Sequence, residues 1–187
     1  MDPTRILEVD HRMAKDLISQ IKEAKGDKRM PLVQELASAL RGHMELEEKV
    51  VYPKMQSVTG AEAVTEGVAE HKLSRKALTD VLGMAPDKPG FGAALEALEA
   101  GLDHHIEEEE NEVFPKLRSE GEQELAAMAT PFMKKRMQLG MPMPAPALAK
   151  AFSKQELVTE AESAGLGDAR SMKKDQLAEA LAAKMAS

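Results

Sequence analysis

Residues 103–115 read DHHIEEEENEVFP, and the spacing inside this stretch decides how the rest of the chain is read. On a helix, side chains four positions apart sit one turn apart on one face, so His105 and Glu109 project together, and so do His104 and Glu108. Spacing alone does not choose between the two pairs. A second copy of the pattern does: residues 42–53, GHMELEEKVVYP, align without a gap with residues 104–115, HHIEEEENEVFP. The alignment pairs His43 with His105, Glu47 with Glu109, Tyr52 with Phe114 and Pro53 with Pro115.

The apolar periodicity makes the same choice. Residues 4–25 carry Leu7, His11, Ala14, Ile18 and Ile21 at steps of three or four, the pattern of an amphipathic helix, ended by Gly26 and Asp27. Pro31 suits the first turn of a second helix whose stripe is Leu36, Leu40, His43, Glu47 and Val50 or Val51. A third helix follows Gly60 with Val64, Val68, His71, Leu78 and Leu82 in register, and Gly83 with PDKPG makes the next turn. A fourth, from Phe91 to near Arg118, carries Leu95, Leu98, Leu102, His105, Glu109 and Val113. His104 and Glu108 fall about 100° round that helix and are expected on a solvated face, with an entrance or supporting role as the alternative. The other glutamates of the stretch are read as solvated too. Pro53 and Pro115 lie inside helical patterns and are expected to kink or stop them.

Successive helices thus turn inward one histidine, a His–Glu pair, one histidine and a second His–Glu pair. His11 and His71 are 60 residues apart and His43 and His105 are 62 apart, so the unit is a repeated helical hairpin. Two such hairpins make an all-α, antiparallel, up-and-down four-helix bundle whose six inward polar side chains are able to converge at one level of the core. Two carboxylates in an apolar core need compensating charge, which four neutral imidazoles do not supply and a pair of cations does. Imidazole with carboxylate suits iron, with manganese and zinc as competitors. The absence of cysteine removes disulfides, thiolate catalysis and thiolate metal sites.

A length of 187 residues accommodates one good core and a small appendage. The net charge of −7 is uneven: residues 146–187 hold six basic and six acidic side chains, so the acidity belongs to the bundle and argues against a phosphate-backbone binder there. Aromatic residues make up only 3%, which disfavours base-stacking platforms. With neither a bilayer-spanning apolar run nor a secretory pattern, the expectation is a cytoplasmic protein that does not engage membranes.

A fifth helix, from Glu122 to Met137, contains Pro131, and GMPMPAPA reads as an irregular linker from Gly140 to Ala147. Met128, Met133, Met137, Met141 and Met143 are read as packing against the bundle end rather than as copper ligands. In the tail, Ser153 and Glu156 form a capping box, Gly165 and Leu166 a helix stop, and a final helix runs from Met172 to Lys184. The expected organisation is a bundle with an extra helix over residues 1–139, a linker over 140–147 and a small helix-loop-helix module over 148–187.

On the isolated His11 and His71, HMELEEKVVYP and HIEEEENEVFP, residues 4–120 resemble the hemerythrin-like proteins with the HHE cation-binding domain. The resemblance implies a centre of two non-haem iron ions joined by an oxo or hydroxo bridge. His11, His43, His71 and His105 would be terminal ligands, and Glu47 and Glu109 would bridge. It also implies dioxygen, peroxide or nitric oxide as partners. Oxygen-carrying hemerythrins have a further histidine one turn beyond the one matching His71, where this chain has Arg75. Four histidines leave about two coordination positions open, which puts reversible carriage in doubt. Catalase-like peroxide decomposition, or sensing of oxygen or iron through the C-terminal module, are the alternatives.

Residues 153–181 resemble the SAP and Rho N-terminal modules, which implies nucleic-acid contact; their balanced charge favours protein packing or tethering instead. Tyr52 is read as a core aromatic, with a metal or redox role as the alternative. Arg75 is read as snorkelling or pairing with a glutamate, the alternative being a hydrogen bond to bound peroxide.

Overall fold

The computed structural model describes residues 2–141 and 143–185, and these form helices and turns with no strand among them. Helix α1 (Pro3–Glu23) starts on Asp2, whose side chain accepts the Thr4 amide at 2.9 Å, and Pro3 sits in the first turn, where its missing N–H is harmless. Helix α2 (Arg29–Leu46) packs along α1, then passes through a π-helical turn over Glu47–Val51 into α3 (Tyr52–Thr59). Gly60, at φ 96°, admits the break before α4 (Ala61–Leu82), and Gly90, at φ 99°, opens α5 (Phe91–Glu108). Helices α4 and α5 pack as the second hairpin, giving the expected all-α bundle. No described helix is long and apolar enough to cross a membrane.

Neither proline ends its helix, which corrects the expectation of a stop. A proline inside an α-helix loses one hydrogen bond and crowds the carbonyl four residues back. Here the backbone widens just before each: the Tyr52 amide donates to the Glu47 carbonyl, and the Phe114 amide to that of Glu109, both five residues back. Helix α5 therefore continues through Glu109–Val113 into α6 (Phe114–Glu120). The two inward glutamates begin the two widened turns, and π turns of this kind are frequent at functional sites.

The apolar stripes bury two clusters, one holding Ile18, Leu36, Leu78 and Leu95, the other Leu7, Leu46, Met55 and Phe114. Along each helix the inward histidines lie between the two. One register differs from the sequence pattern: on α4 it is Gly67 that is buried, while Val68 is 43% exposed. The cause is Tyr52, whose hydroxyl oxygen would lie 2.6 Å from a Cβ at position 67.

Helix α7 (Glu122–Gln138) packs on the bundle with Met128 and Phe132 fully buried and Pro131 inside it. The stretch read as an irregular linker turns helical at α8 (Ala145–Ala151), where Pro146 falls in the first turn and Leu148 is buried. Helix α9 (Lys154–Ser163) begins on the expected capping box, with both reciprocal bonds formed, at 2.7 and 3.2 Å. It ends at Gly165, φ 75°, with the Leu166 amide on the Ala161 carbonyl at 2.8 Å. Helix α10 (Lys174–Met185) completes the tail.

Arg5 on α1 joins the tail to the bundle. Its guanidinium lies 4.8 Å over the Phe152 ring and bonds the Ala151 carbonyl and Glu156. Leu148, Phe152, Leu157 and Leu181 share one apolar cluster with Leu7 and Phe114. Met128 and Met143 are buried in it and Met133 and Met141 pack against it, as a packing role requires, while Met137 is half exposed.

Because Phe152 is 1% exposed inside that shared cluster, Phe152→Ala is expected to lower the unfolding free energy by about 3–5 kcal/mol in a denaturant titration. A change under about 1 kcal/mol would mean that the tail contributes little to the core.

Candidate metal centre

His11, His43, Glu47, His71, His105 and Glu109 meet in the core, none more than 4% exposed. Four helices supply the imidazoles in two pairs: Nε2 of His11 lies 3.1 Å from Nε2 of His43, and Nε2 of His71 lies 3.3 Å from Nε2 of His105. The two carboxylates span the pairs. Glu47 places Oε1 3.2 Å from His43 Nε2 and Oε2 3.1 Å from His71 Nε2. Glu109 Oε2 stands 3.4 Å from His11 Nε2 and 3.6 Å from His105 Nε2.

A second ring of carboxylates stands behind the imidazoles, within hydrogen-bond distance of Nδ1 on His11, His71 and His105 and farther off on His43, whose Nδ1 has no hydrogen-bond partner. His11 Nδ1 is 2.9 Å from Glu110, His71 Nδ1 is 3.0 Å from Glu48 and His105 Nδ1 is 2.8 Å from Glu70. Asp10 stands 3.6 Å from His43 Nδ1 and is itself gripped by Arg136 of α7 through two bonds of 2.6 and 2.7 Å. A proton held at Nδ1 leaves the Nε2 lone pair pointing inward, the arrangement that orients metal-ligating histidines. Sequence reasoning missed these four acids and read Glu110 as solvated surface. The signal was present: an acid precedes each lone histidine, Asp10–His11 and Glu70–His71, and a second glutamate follows each inward one, Glu47–Glu48 and Glu109–Glu110.

The donor set fits a pair of cations. With Nδ1 protonated, each 3.1–3.3 Å contact sets two lone pairs against each other. Both oxygens of Glu47 and Oε2 of Glu109 are buried without a hydrogen-bond partner, a cost of about 1–3 kcal/mol each unless a cation meets them. The donors group as His11, His43, Glu47 and Glu109, and as Glu47, His71 and His105, with Glu47 common to both. Nitrogen and oxygen donors of this kind suit iron, manganese or zinc.

In the metal-free protein, protons take part of that role. Burial opposes a charge on His43, but Glu47 and Asp10 outweigh it and raise its pKa to about 10. His105 is raised to about 9, burial again being outweighed, by Glu109 and Glu47. Glu47, despite complete burial, is held well below the usual carboxylate range by the imidazoles around it.

The remaining candidates fall around this core. The Tyr52 ring stacks on His71 and its hydroxyl lies 3.2 Å from Nε2, so the residue read as a core aromatic is both buried and turned toward the centre. Burial, with Glu47 and Glu109 close by, pushes the phenol pKa up. Arg75 pairs with Glu48 at 2.7 Å, the glutamate pairing expected for it. His104 is exposed, 3.4 Å from Glu70 and 3.3 Å from Glu108.

The family model of the hemerythrin HHE cation binding domain matches residues 2–117, a span that contains every inward residue and all four outer carboxylates. The chain belongs to this family. A crystal structure of a hemerythrin HHE cation binding domain-containing protein from Mycobacterium kansasii shares the fold of this HHE bundle. The TM-score is 0.61 over 73% of this chain and 88% of that one, at 24% identity. A protein named DNA nickase, from Nostoc sp. (strain PCC 7120), is 22% identical over 115 residues. The match takes in 61% of this chain and spans only 33% of that protein's length.

Two measurements check the centre's construction. His43 and His105 have folded pKa values near 10 and 9, above the unfolded value of about 6.5. Their stabilisation is therefore complete below about pH 6.5 and lost as pH rises through 9 and 10. The Tm of the metal-free protein is expected to fall between pH 7 and 10, and a flat profile there would exclude the protonated pairs. Glu70→Ala is expected to weaken metal binding by roughly 10–100-fold in a competition titration, with helicity retained.

Proposed function

We propose that this HHE bundle is a non-haem di-iron protein that binds or reacts with dioxygen, peroxide or nitric oxide. The supporting observation is the pairing of four inward Nε2 atoms around two buried carboxylates, each of which reaches both pairs. Two irons held there supply two coupled one-electron redox partners, the chemistry that reduction of dioxygen or disproportionation of peroxide requires.

The chain's own residues set the conditions. Glu110, Glu48 and Glu70 keep protons on Nδ1 of His11, His71 and His105 and so leave Nε2 of each free to bind a metal. The apolar clusters on either side keep water from the buried charges, which strengthens every electrostatic contact there. Tyr52 retains its phenolic proton, because burial and the nearby glutamates oppose its loss, and it is placed to donate a hydrogen bond beside His71.

A catalase-like enzyme reading draws on that hydrogen-bond donor, which would orient a bound peroxide. A sensor reading draws on the tail, which docks through Arg5 on α1, the helix that carries Asp10 and His11. The acidic charge of the bundle gives no support to the DNA chemistry named for the Nostoc protein.

Protein produced with ample iron is expected to carry close to two irons per chain by elemental analysis, and His105→Ala to hold markedly less. One zinc in preference, or traces of iron only, would overturn the assignment. Rapid oxygen evolution from peroxide, slowed in Tyr52→Phe at unchanged iron content, would establish the enzyme; a reversible visible band on oxygenation, without turnover, would establish binding.

A further inference from the structure

The four outer carboxylates do not have equal surroundings. Asp10, behind His43, is gripped by the Arg136 guanidinium at 2.6 and 2.7 Å, and Glu48, behind His71, pairs with Arg75 at 2.7 Å. Glu110, behind His11, feels the positive charges of Arg12 and Lys15. Glu70, behind His105, has only histidines: among the described residues its ion-pair neighbours are His104 and His105. Its Oε2 meets His105 Nδ1 at 2.8 Å, while its Oε1 is buried with no hydrogen-bond partner. An ionised oxygen left in that state is costly, and the other outer acids avoid it with a cation.

The orphaned oxygen borders a second cluster of metal-ligating groups. His104 Nε2 lies 3.4 Å from it and 3.3 Å from Glu108 Oε1, and one nitrogen and two carboxylate oxygens of this trio fall within 4.8 Å of one another. Glu66 and Glu112 add further negative charge around Glu108. The first hairpin has no such cluster. At the repeat offsets of 60 and 62 residues, Asp10, Gly42 and Leu46 occupy the places of Glu70, His104 and Glu108. There both oxygens of the acid are taken by Arg136. The second hairpin thus has an imidazole and a carboxylate in excess of the first, and lacks the arginine.

We propose that Glu70, His104 and Glu108 hold a further divalent cation, of the zinc or ferrous class, at a site outside the buried centre. Spacing supports it. Tetrahedral ligands at roughly 2.0–2.1 Å from an ion stand about 3.3–3.4 Å from one another, and His104 Nε2 stands at 3.4 and 3.3 Å from the two oxygens. Donor chemistry supports it too, since an imidazole among carboxylates suits zinc or ferrous iron better than magnesium or calcium. Exposed His104 leaves the remaining coordination positions to water. The ion supplies behind His105 the positive charge that Arg136 supplies behind His43. Glu70 joins the two sites, with one oxygen on the outer ion and the other on the imidazole that faces the centre. The site requires nothing of the metal bound by the inward six.

Zinc is the probe. The full chain, grown with ample iron, is dialysed to equilibrium against zinc beside His104→Ala, Glu108→Gln and Glu107→Gln, and both metals are counted. Wild-type protein is expected to hold one zinc per chain more than His104→Ala. Glu108→Gln is expected to lose the same ion, and Glu107→Gln, which removes an exposed carboxylate outside the trio, to keep it. Equal zinc in wild type and His104→Ala overturns the proposal. A loss in Glu107→Gln equal to that in Glu108→Gln also overturns it, since it marks diffuse attraction to an acidic surface. The count is a difference between variants, so it decides whatever the buried centre holds; wild-type protein that takes up no iron would defeat the di-iron reading alone. Should the variants fail to fold, anomalous scattering from zinc-soaked crystals of the wild type still decides. A zinc peak between Glu70, His104 and Glu108 is expected, and zinc bound elsewhere only overturns the proposal.

Discussion

Four imidazole nitrogens facing one another in pairs across a dry core, with two carboxylates between them, are the constraint on which the rest of the molecule depends. Such an arrangement is unfavourable without positive charge in its midst, and every nearby feature helps to hold it together. The outer acids hold the imidazoles from behind, and the two apolar clusters close the ends. Even α7, which lies beyond the matched family span, takes part: its Arg136 is 2% exposed and grips the acid beside His43. The surface salt bridges are of a different order, since exposed ion pairs contribute little.

Because Asp10 lies beside His43 while its neighbour His11 faces Glu110, the two hairpins are interlocked through their charges. Each acid steadies a histidine on another helix: Asp10 on α1 faces α2, Glu48 beyond α2 faces α4, Glu70 on α4 faces α5, and Glu110 beyond α5 faces α1. The circuit closes around the bundle. A shift of any one helix therefore disturbs two imidazoles, one that it carries and one that it supports, which ties rigidity of the fold to geometry of the site.

Much of this was legible in the sequence because helical periodicity and an ungapped repeat constrain which side chains face inward. His11, His43, Glu47, His71, His105 and Glu109 were selected that way, and the structure brings all six together. The outer acids were not selected. They lie on the flank of each stripe, where a glutamate shielding a histidine and a glutamate facing water have the same periodicity. The inward turn of Gly67 escaped for a related reason, since Val68 is the better hydrophobe and only the reach of Tyr52 from another helix reverses the preference. The prolines suggested interruption because propensity describes regular helices, and the chain answered with an irregular one. Helix α8 was hidden by a proline-rich composition that serves equally for a linker and for a helix start.

The widened turns have a consequence for how such a chain arose. In a regular helix Tyr52 and Phe114 would fall about 140° round from Glu47 and Glu109, at 100° per residue. One additional residue in each turn brings both aromatic rings back to the face that carries the glutamate, where they stack on His71 and His11. Each helix thus behaves as if a single residue had been inserted, and the insertion sits at the same place in both hairpins. An insertion common to two copies is most simply one event, older than the duplication that produced them. Since Tyr52 stacks on His71 and Phe114 on His11, each ring serves a histidine of the other hairpin, so the widened turn has its effect only where two copies pack together.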